Sequence, residues 1–193
     1  MIQHLDTADY QQMLWKNGAG YTIELARSDG DSLDTFDWRI SMADVKTSGD
    51  FSLFKGMQRI LTVLEGAGIV LNIDDDSEHL KTLQSAQFSG DRKTSCELID
   101  GPIRDFNLIY NPAKWRSSYQ WLFESASTEI FSSADLIFIF NQSPEPLEIE
   151  VDQQVFHLAH QQSLKIEQQK TLKKLLIKSQ FLKQTCLIEL TKI

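Results

Sequence analysis

Glycine stops early in this chain. No glycine follows Gly101, and only four prolines and two cysteines occur in 193 residues. Cys96 and Cys186 are far apart and form no CxxC pair, which argues against a disulfide framework or a thiolate metal site. Both read as small buried hydrophobes kept reduced, and that expectation places the protein in the cytoplasm. Long apolar runs are also missing. The longest, Leu136–Phe140, is far short of the roughly 20 residues of a membrane helix. The opening residues MIQHLDTADY have neither a basic nor an apolar leader region, so no secretory signal is expected. Positive charge is scarce: 19 Lys and Arg face 27 Asp and Glu, a net −8. Such a chain is a poor general ligand for nucleic acid or anionic membrane, whose phosphates need clustered basic residues.

What the chain does have is period-two alternation. Tyr21, Ile23 and Leu25 oppose Thr22, Glu24 and Ala26; Trp38, Ile40 and Met42 oppose Arg39, Ser41 and Ala43. Leu147, Ile149 and Val151 alternate with acidic residues, and Leu164 and Ile166 with Lys165 and Glu167. This pattern predicts strands with one buried face. Ile60–Leu64 and Leu136–Phe140 are almost wholly apolar and predict strands covered on both faces. Asp6–Leu14 is the best helix candidate, and Leu172–Ile177 is ambiguous between helix and strand. Gly66-Ala67-Gly68 suggests a hairpin joining Ile60–Glu65 to Ile69–Ile73, and Asn17-Gly18 a tight turn. Short strands without βαβ alternation predict an all-β barrel or sandwich. The glycine-rich first part and the Gln-, Lys- and Leu-rich remainder divide into modules 1–112 and 113–193. Five lysines from Lys170 to Lys183 are interleaved with Leu and Ile and read as a solvated face.

The unusual polar residues gather in the first module, in WKNGAGYTIELA, FDWRISMADV, GDFSLFKGMQRILTVLEGAG, FSGD and DGPIRDFNLIYN. Their order and spacing from about residue 14 to about 112 resemble the HutD/Ves family. The resemblance implies a bicupin-like fold of two double-stranded β-helix (jelly-roll type) barrels. It also implies a regulatory, ligand-sensing role beside histidine-utilisation genes, or in the Ves branch a stress or cold response.

A metal-binding cupin carries HxH, four residues, Glu, six residues, Gly. The corresponding stretch here is Ser52-x-Phe54, four residues, Arg59, six residues, Gly66. The spacing survives and every metal ligand is replaced by a residue unable to supply a metal's first shell. His4, His79, His157 and His160 are scattered, and the i, i+3 pair His157/His160 would point to opposite faces of a strand. Neither a metal nor another cofactor is expected. GxSxG, P-loop and GxGxxG patterns are absent, and no catalytic residue is assigned.

The candidate binding residues are Trp15, Lys16, Asn17, Thr22, Glu24, Arg39, Ser41, Ser52, Phe54, Arg59, Asp105 and Asn107. A buried arginine must be paired. It serves either as the partner of Glu24 or Asp105 in a structural salt bridge, or as a fork for a ligand carboxylate with hydroxyl and amide groups beside it. Trp15, Trp38, Phe51, Phe54 and Phe106 could wall a pocket, but apolar residues at period two usually belong to the core and most of these are read so; Trp15, beside the Lys16-Asn17-Gly18 turn, is the candidate for the pocket rim. The expected partner is a small carboxylate, with a homodimer left open. Two alternatives stand beside this reading. One is a metal-independent isomerase or hydrolase with Glu24 or Asp105 as base; the other is a protein-interaction module.

Overall fold

The computed structural model describes residues 1–15, 20–28, 35–122, 126–167, 171–179 and 182–193. Strands fill it, with two single-turn 3-10 segments, Thr7–Asp9 and Leu182–Gln184. Among the described residues no helix is long and apolar enough to cross a membrane.

The chain separates into two compact units, one of Tyr10–Lys114 and one combining Met1–Asp9 with Trp115–Ile193. These units differ from the expected modules 1–112 and 113–193 both at the boundary, which falls after Lys114, and at the start of the chain, which joins the later unit. Strand β1 (Ile2–Leu5) pairs antiparallel with a strand near the far end, Ile2 opposite Ile166 and Leu5 opposite Ser163. The helix expected over Asp6–Leu14 is not formed either. Asp6 and Asp9 bond each other's backbone amides in a single turn, and Gln11–Leu14 then becomes strand β2, because its edge pairs with the following strand.

The first unit holds β2, β3 (Gly20–Arg27), β4 (Trp38–Val45), β5 (Gly49–Asp50), β6 (Gln58–Glu65), β7 (Ile69–Ile73), β8 (Asp76–Leu80), β9 (Ser85–Ser89), β10 (Thr94–Leu98) and β11 (Ile103–Tyr110). They form a six-stranded sheet in the order β2-β3-β4-β11-β6-β9 and a four-stranded sheet β5-β10-β7-β8. Val45, Leu61, Val63 and Ile103 from the first sheet meet Ile69, Leu71, Leu80 and Cys96 from the second in one buried cluster. β6 and β7 lie in different sheets, so the expected Gly66–Gly68 hairpin is instead a crossover. Both glycines sit at positive φ, +100° and +109°. A Cβ on Gly68 would lie 2.4 Å from the Leu80 carbonyl oxygen, so only glycine lets the backbone pass there.

The second unit holds β1, β12 (Trp115–Trp121), β13 (Ser127–Ser132), β14 (Leu136–Asn141), β15 (Leu147–Val151), β16 (Gln154–Leu158), β17 (Ser163–Glu167), β18 (Lys173–Lys178) and β19 (Thr185–Lys192). Its sheets run β1-β17-β14-β19-β12 and β13-β18-β15-β16. The ambiguous Leu172–Ile177 segment is thus mainly strand. Aliphatic side chains from both sheets fill the space between them, among them Ile137, Ile139, Leu164, Ile166 and Leu187 against Leu147, Ile149, Leu175 and Ile177. Lacking glycine, this unit turns its corners on Asp152, Gln153 and Gln161 at positive φ. Lys173, Lys174 and Lys178 pair with Asp152, Glu129 and Glu148, as a solvated face would. Lys170 lies outside the described residues. As their apolar runs predict, β14 is buried along its whole length and β6 along all but its first and last residues.

Candidate functional site

Register builds the site in the first unit. Across β4, β11 and β6, three rows of residues share one sheet face: Arg39–Ile109–Arg59, Ser41–Asn107–Leu61 and Ala43–Asp105–Val63. Strand alternation keeps all nine on the side facing the four-stranded sheet. The third row runs into the apolar cluster, whereas the first two carry four polar side chains. Around them opens a cavity of about 540 Å³. Trp15 and Thr22 contribute from the β2–β3 side; Asp50, Phe51, Ser52 and Phe54 come from β5 and the segment after it.

At the floor, the guanidinium of Arg59 is buried, with 6% of the residue exposed. Its Nε and Nη2 both donate to Asn107 Oδ1, at 2.9 and 2.7 Å. Asn107 Nδ2 in turn donates to Asp105 Oδ1 at 2.6 Å. Only one amide orientation satisfies both neighbours, because the flipped form would set NH2 against guanidinium donors and oxygen against a carboxylate. The expected arginine–Asp105 salt bridge is therefore a relay through Asn107. Phe51 and Phe88 frame the guanidinium, 4.5 and 5.5 Å from its central carbon. These faces offset part of the cost of burying the charge. Burial still lowers the Arg59 pKa to about 10, against the pull of Asp105. Burial likewise pushes the Asp105 carboxyl up to about 6, although Arg59 and the Asn107 hydrogen bond favour its charge. Asp105 Oδ2 has no hydrogen-bond partner among the described residues.

Arg39, two strand spacings away, is half-buried and so less enclosed than Arg59. Its guanidinium lies over Phe36 and Phe54, at 4.9 and 5.2 Å. Trp15 Nε1 donates to Thr22 Oγ1 at 2.9 Å, which fixes the indole on the cavity wall. Gly20 lets that ring close in, since a Cβ there would stand 3.2 Å from it and 2.2 Å from the Asp44 carbonyl.

The structure thus brings together Trp15, Thr22, Arg39, Ser41, Ser52, Phe54, Arg59, Asp105 and Asn107 around one cavity. Lys16 and Asn17 fall outside the described residues. Glu24 is not among the lining residues: it pairs across the strands with Ser41 beside a bulge in β3, is buried, and meets Arg27 at 3.7 Å. Trp38 and Phe106 do not form its wall either, because alternation turns them to the other, buried face of the sheet. Leu14, Ala43, Asp50 and Ile109 were not predicted. The parity of β4 and β11 contains the signal for Ala43 and Ile109; Leu14 and Asp50 are positioned by pairing that no local pattern reveals.

Metal ligation does not fit this chemistry. The three positions that match the ligand spacing of a metal cupin, Ser52, Phe54 and Arg59, do line the cavity together. A fixed guanidinium cation in that place repels a metal ion and lends it no electron pair. Among the described residues no three His, Cys, Asp or Glu side chains converge as a ligand set. His157 lies on β16, whereas His160 lies beyond its end with Nδ1 3.2 Å from the Ser143 carbonyl.

Fold and cavity together define an all-β protein of cupin-like architecture whose pocket is centred on arginine. A family model described as HutD matches residues 7–183, and the chain belongs to that family. A Pseudomonas putida protein described as an uncharacterised 21.2 kDa protein in the hutC 3′ region is 40% identical, covering 98% of this chain and 97% of the relative. The crystal structure of HutD from Pseudomonas fluorescens SBW25, in a formate condition, is 39% identical with TM-score 0.88 over the full length of both chains. That of a conserved Pseudomonas aeruginosa PAO1 protein of unknown function is 39% identical with TM-score 0.92 over 99% of each. Bacterial pirin YhhW in complex with nickel(II), from Escherichia coli, shares the fold alone, at 12% identity and TM-score 0.70 over the full length of both chains.

Proposed function

We propose that this protein binds a small carboxylate metabolite in the first-unit cavity, without a metal, and acts as a cytoplasmic regulatory sensor linked to histidine utilisation. The observation that carries the reading is Arg59. Its hydrogen bonds among the described residues use Nε and Nη2, so the Nη1 amino group is left to meet an anion. Arg39 adds a second, less enclosed cation, Ser41 and Thr22 supply neutral polar groups, and the aromatic walls exclude water. Intermediates of histidine breakdown such as urocanate or a formylglutamate have the right size and charge. The hutC-region description of the 40% identical relative supports the pathway.

One observation favours a second reading, a metal-free acid–base enzyme: the carboxyl of Asp105 titrates near 6, where a general base works well. Against it, Asp105 is wholly buried and its carboxylate is tied to Asn107.

Thermal shift against mono- and dicarboxylates, with and without chelator, tests the proposal. A ligand at a hundred times its Kd stabilises the native state by about 2.7 kcal/mol. A chelator-insensitive rise with one carboxylate, lost in Arg59→Met, is the expected result. A flat panel removes the sensor reading; consumption of the added compound moves the weight to the enzyme.

A further inference from the structure

Resting on the carboxylate reading above, we infer that the cavity takes up a proton together with its anion: an occupant against Arg59 leaves Asp105 protonated at Oδ2, the two being coupled through Asn107. Asp105 is then a positioning residue whose charge state sets affinity for an anion it does not touch.

The coupling runs through the relay. Asp105 commits Oδ1 to Asn107 Nδ2, and its Oδ2 is buried with no partner among the described residues. A proton can settle on Oδ2 without breaking any hydrogen bond that holds Asn107 and Arg59 in place. What keeps Asp105 charged against its burial is the positive field of Arg59, with the Asn107 hydrogen bond and the Ala43 backbone amide. An anion bound to Arg59 cancels most of that field and adds its own negative charge nearby. Both changes favour the neutral acid.

Glu24 Oε2 is also buried without a hydrogen-bond partner among the described residues, but among the charged and titratable groups around the cavity Asp105 is the one joined to Arg59 by a hydrogen-bond relay. From β4, Arg39 is a second cation, and Asp44 is held below the usual carboxylate range by Arg104 and Tyr21 despite partial burial. From β10, burial pushes the Cys96 thiol up and keeps it neutral. Glu24 on β3 is engaged by Arg27, and Asp50 stands exposed at the cavity mouth. The consequence is a ligand whose affinity falls as pH rises above about 6, by up to about tenfold per unit while one proton per site is exchanged.

The test is 13C NMR of aspartate-labelled protein, with the Asp105 carboxyl signal identified by its loss in Asp105→Asn. It is titrated from pH 4.5 to 8.5 with sodium chloride and again with saturating sodium formate, whose own carboxyl titrates below this range. Formate is expected to raise the Asp105 midpoint by about one unit or more. Formate affinity should lose its pH dependence in Asp105→Asn and keep it in Asp50→Asn. An unmoved midpoint in protein that binds formate overturns the coupling alone. A pH dependence lost in Asp50→Asn also overturns it. Absence of formate binding at any pH removes the carboxylate reading and the coupling with it. If Asp105→Asn does not fold, proton uptake is measured on adding formate to unbuffered native protein at pH 6.5: uptake supports the coupling and none overturns it.

Discussion

The two units are both antiparallel sandwiches, yet one is apolar along the inner face of its larger sheet and the other leaves a polar cavity beside its apolar cluster. In the second, the inner face of the larger sheet reads Ile137, Ile139, Leu164, Ile166 and Leu187, all fully buried. In the first, the inner face reads Arg39, Ser41, Arg59, Asp105 and Asn107 before it becomes apolar at Leu61 and Val63. Aliphatic chains of the right volume can interdigitate and exclude space. Guanidinium, amide and carboxyl groups cannot collapse onto one another in that way, because each needs directed partners. The cavity is where the inner face is polar, and the contrast separates residues that hold the fold from residues that hold a ligand.

The largest effect should come from opening the second unit. Ile139→Ala is expected to cost about 2–5 kcal/mol in denaturant unfolding, whereas Ser41→Ala on the cavity wall should cost about 1 kcal/mol or less. Comparable losses at both sites would abolish the distinction. Next is pH. The folded Asp105 carboxyl is raised from 3.8 to about 6, so between these values the native state holds more protons than the unfolded chain. Stability should therefore rise as pH falls from about 6 towards 4.5, within a full span of about 3 kcal/mol. Asp105→Asn should flatten this window in melting experiments. Asp6, Asp44, Asp74 and Glu148 are all held below their ordinary values, so they act at lower pH and with the opposite sign. Arg59→Met should weaken carboxylate binding about a hundredfold in calorimetry while the protein remains folded. A small effect on stability is expected of Trp15→Phe, which removes the indole donor to Thr22 and costs about 1 kcal/mol in the melting transition.

Alternation made most of this legible in the sequence. It identified the strands and put Arg39 with Ser41 on one face. The cupin-like spacing pointed to Arg59, and the unusual polar residues of DGPIRDFNLIYN to Asp105 and Asn107. Alternation could not by itself tell which face bounds the cavity, so Trp38 and Phe106 stood beside Phe54 among the aromatics able to wall a pocket. Nor could local pattern decide between a hairpin and a crossover at Gly66–Gly68, since that depends on β6 choosing β11 and β9 over β7. The Asn107 bridge between Arg59 and Asp105 depends on side-chain geometry across two strands, which spacing alone does not encode.

The pairing of β1 with β17 has a consequence in time. A chain made from its first residue onward completes everything the Tyr10–Lys114 unit needs before most of the other unit exists. β1 emerges first but finds no partner until residues 163–167 have been made. At about 5–20 residues per second, that leaves it waiting on the order of ten seconds or more. Its edge must stay clear of other strands throughout. Short length serves that purpose, with four residues of which His4 and Gln3 break the apolar pattern. The cavity-bearing unit can thus be assembled while the chain is still being made, and the second unit is closed last by its oldest strand.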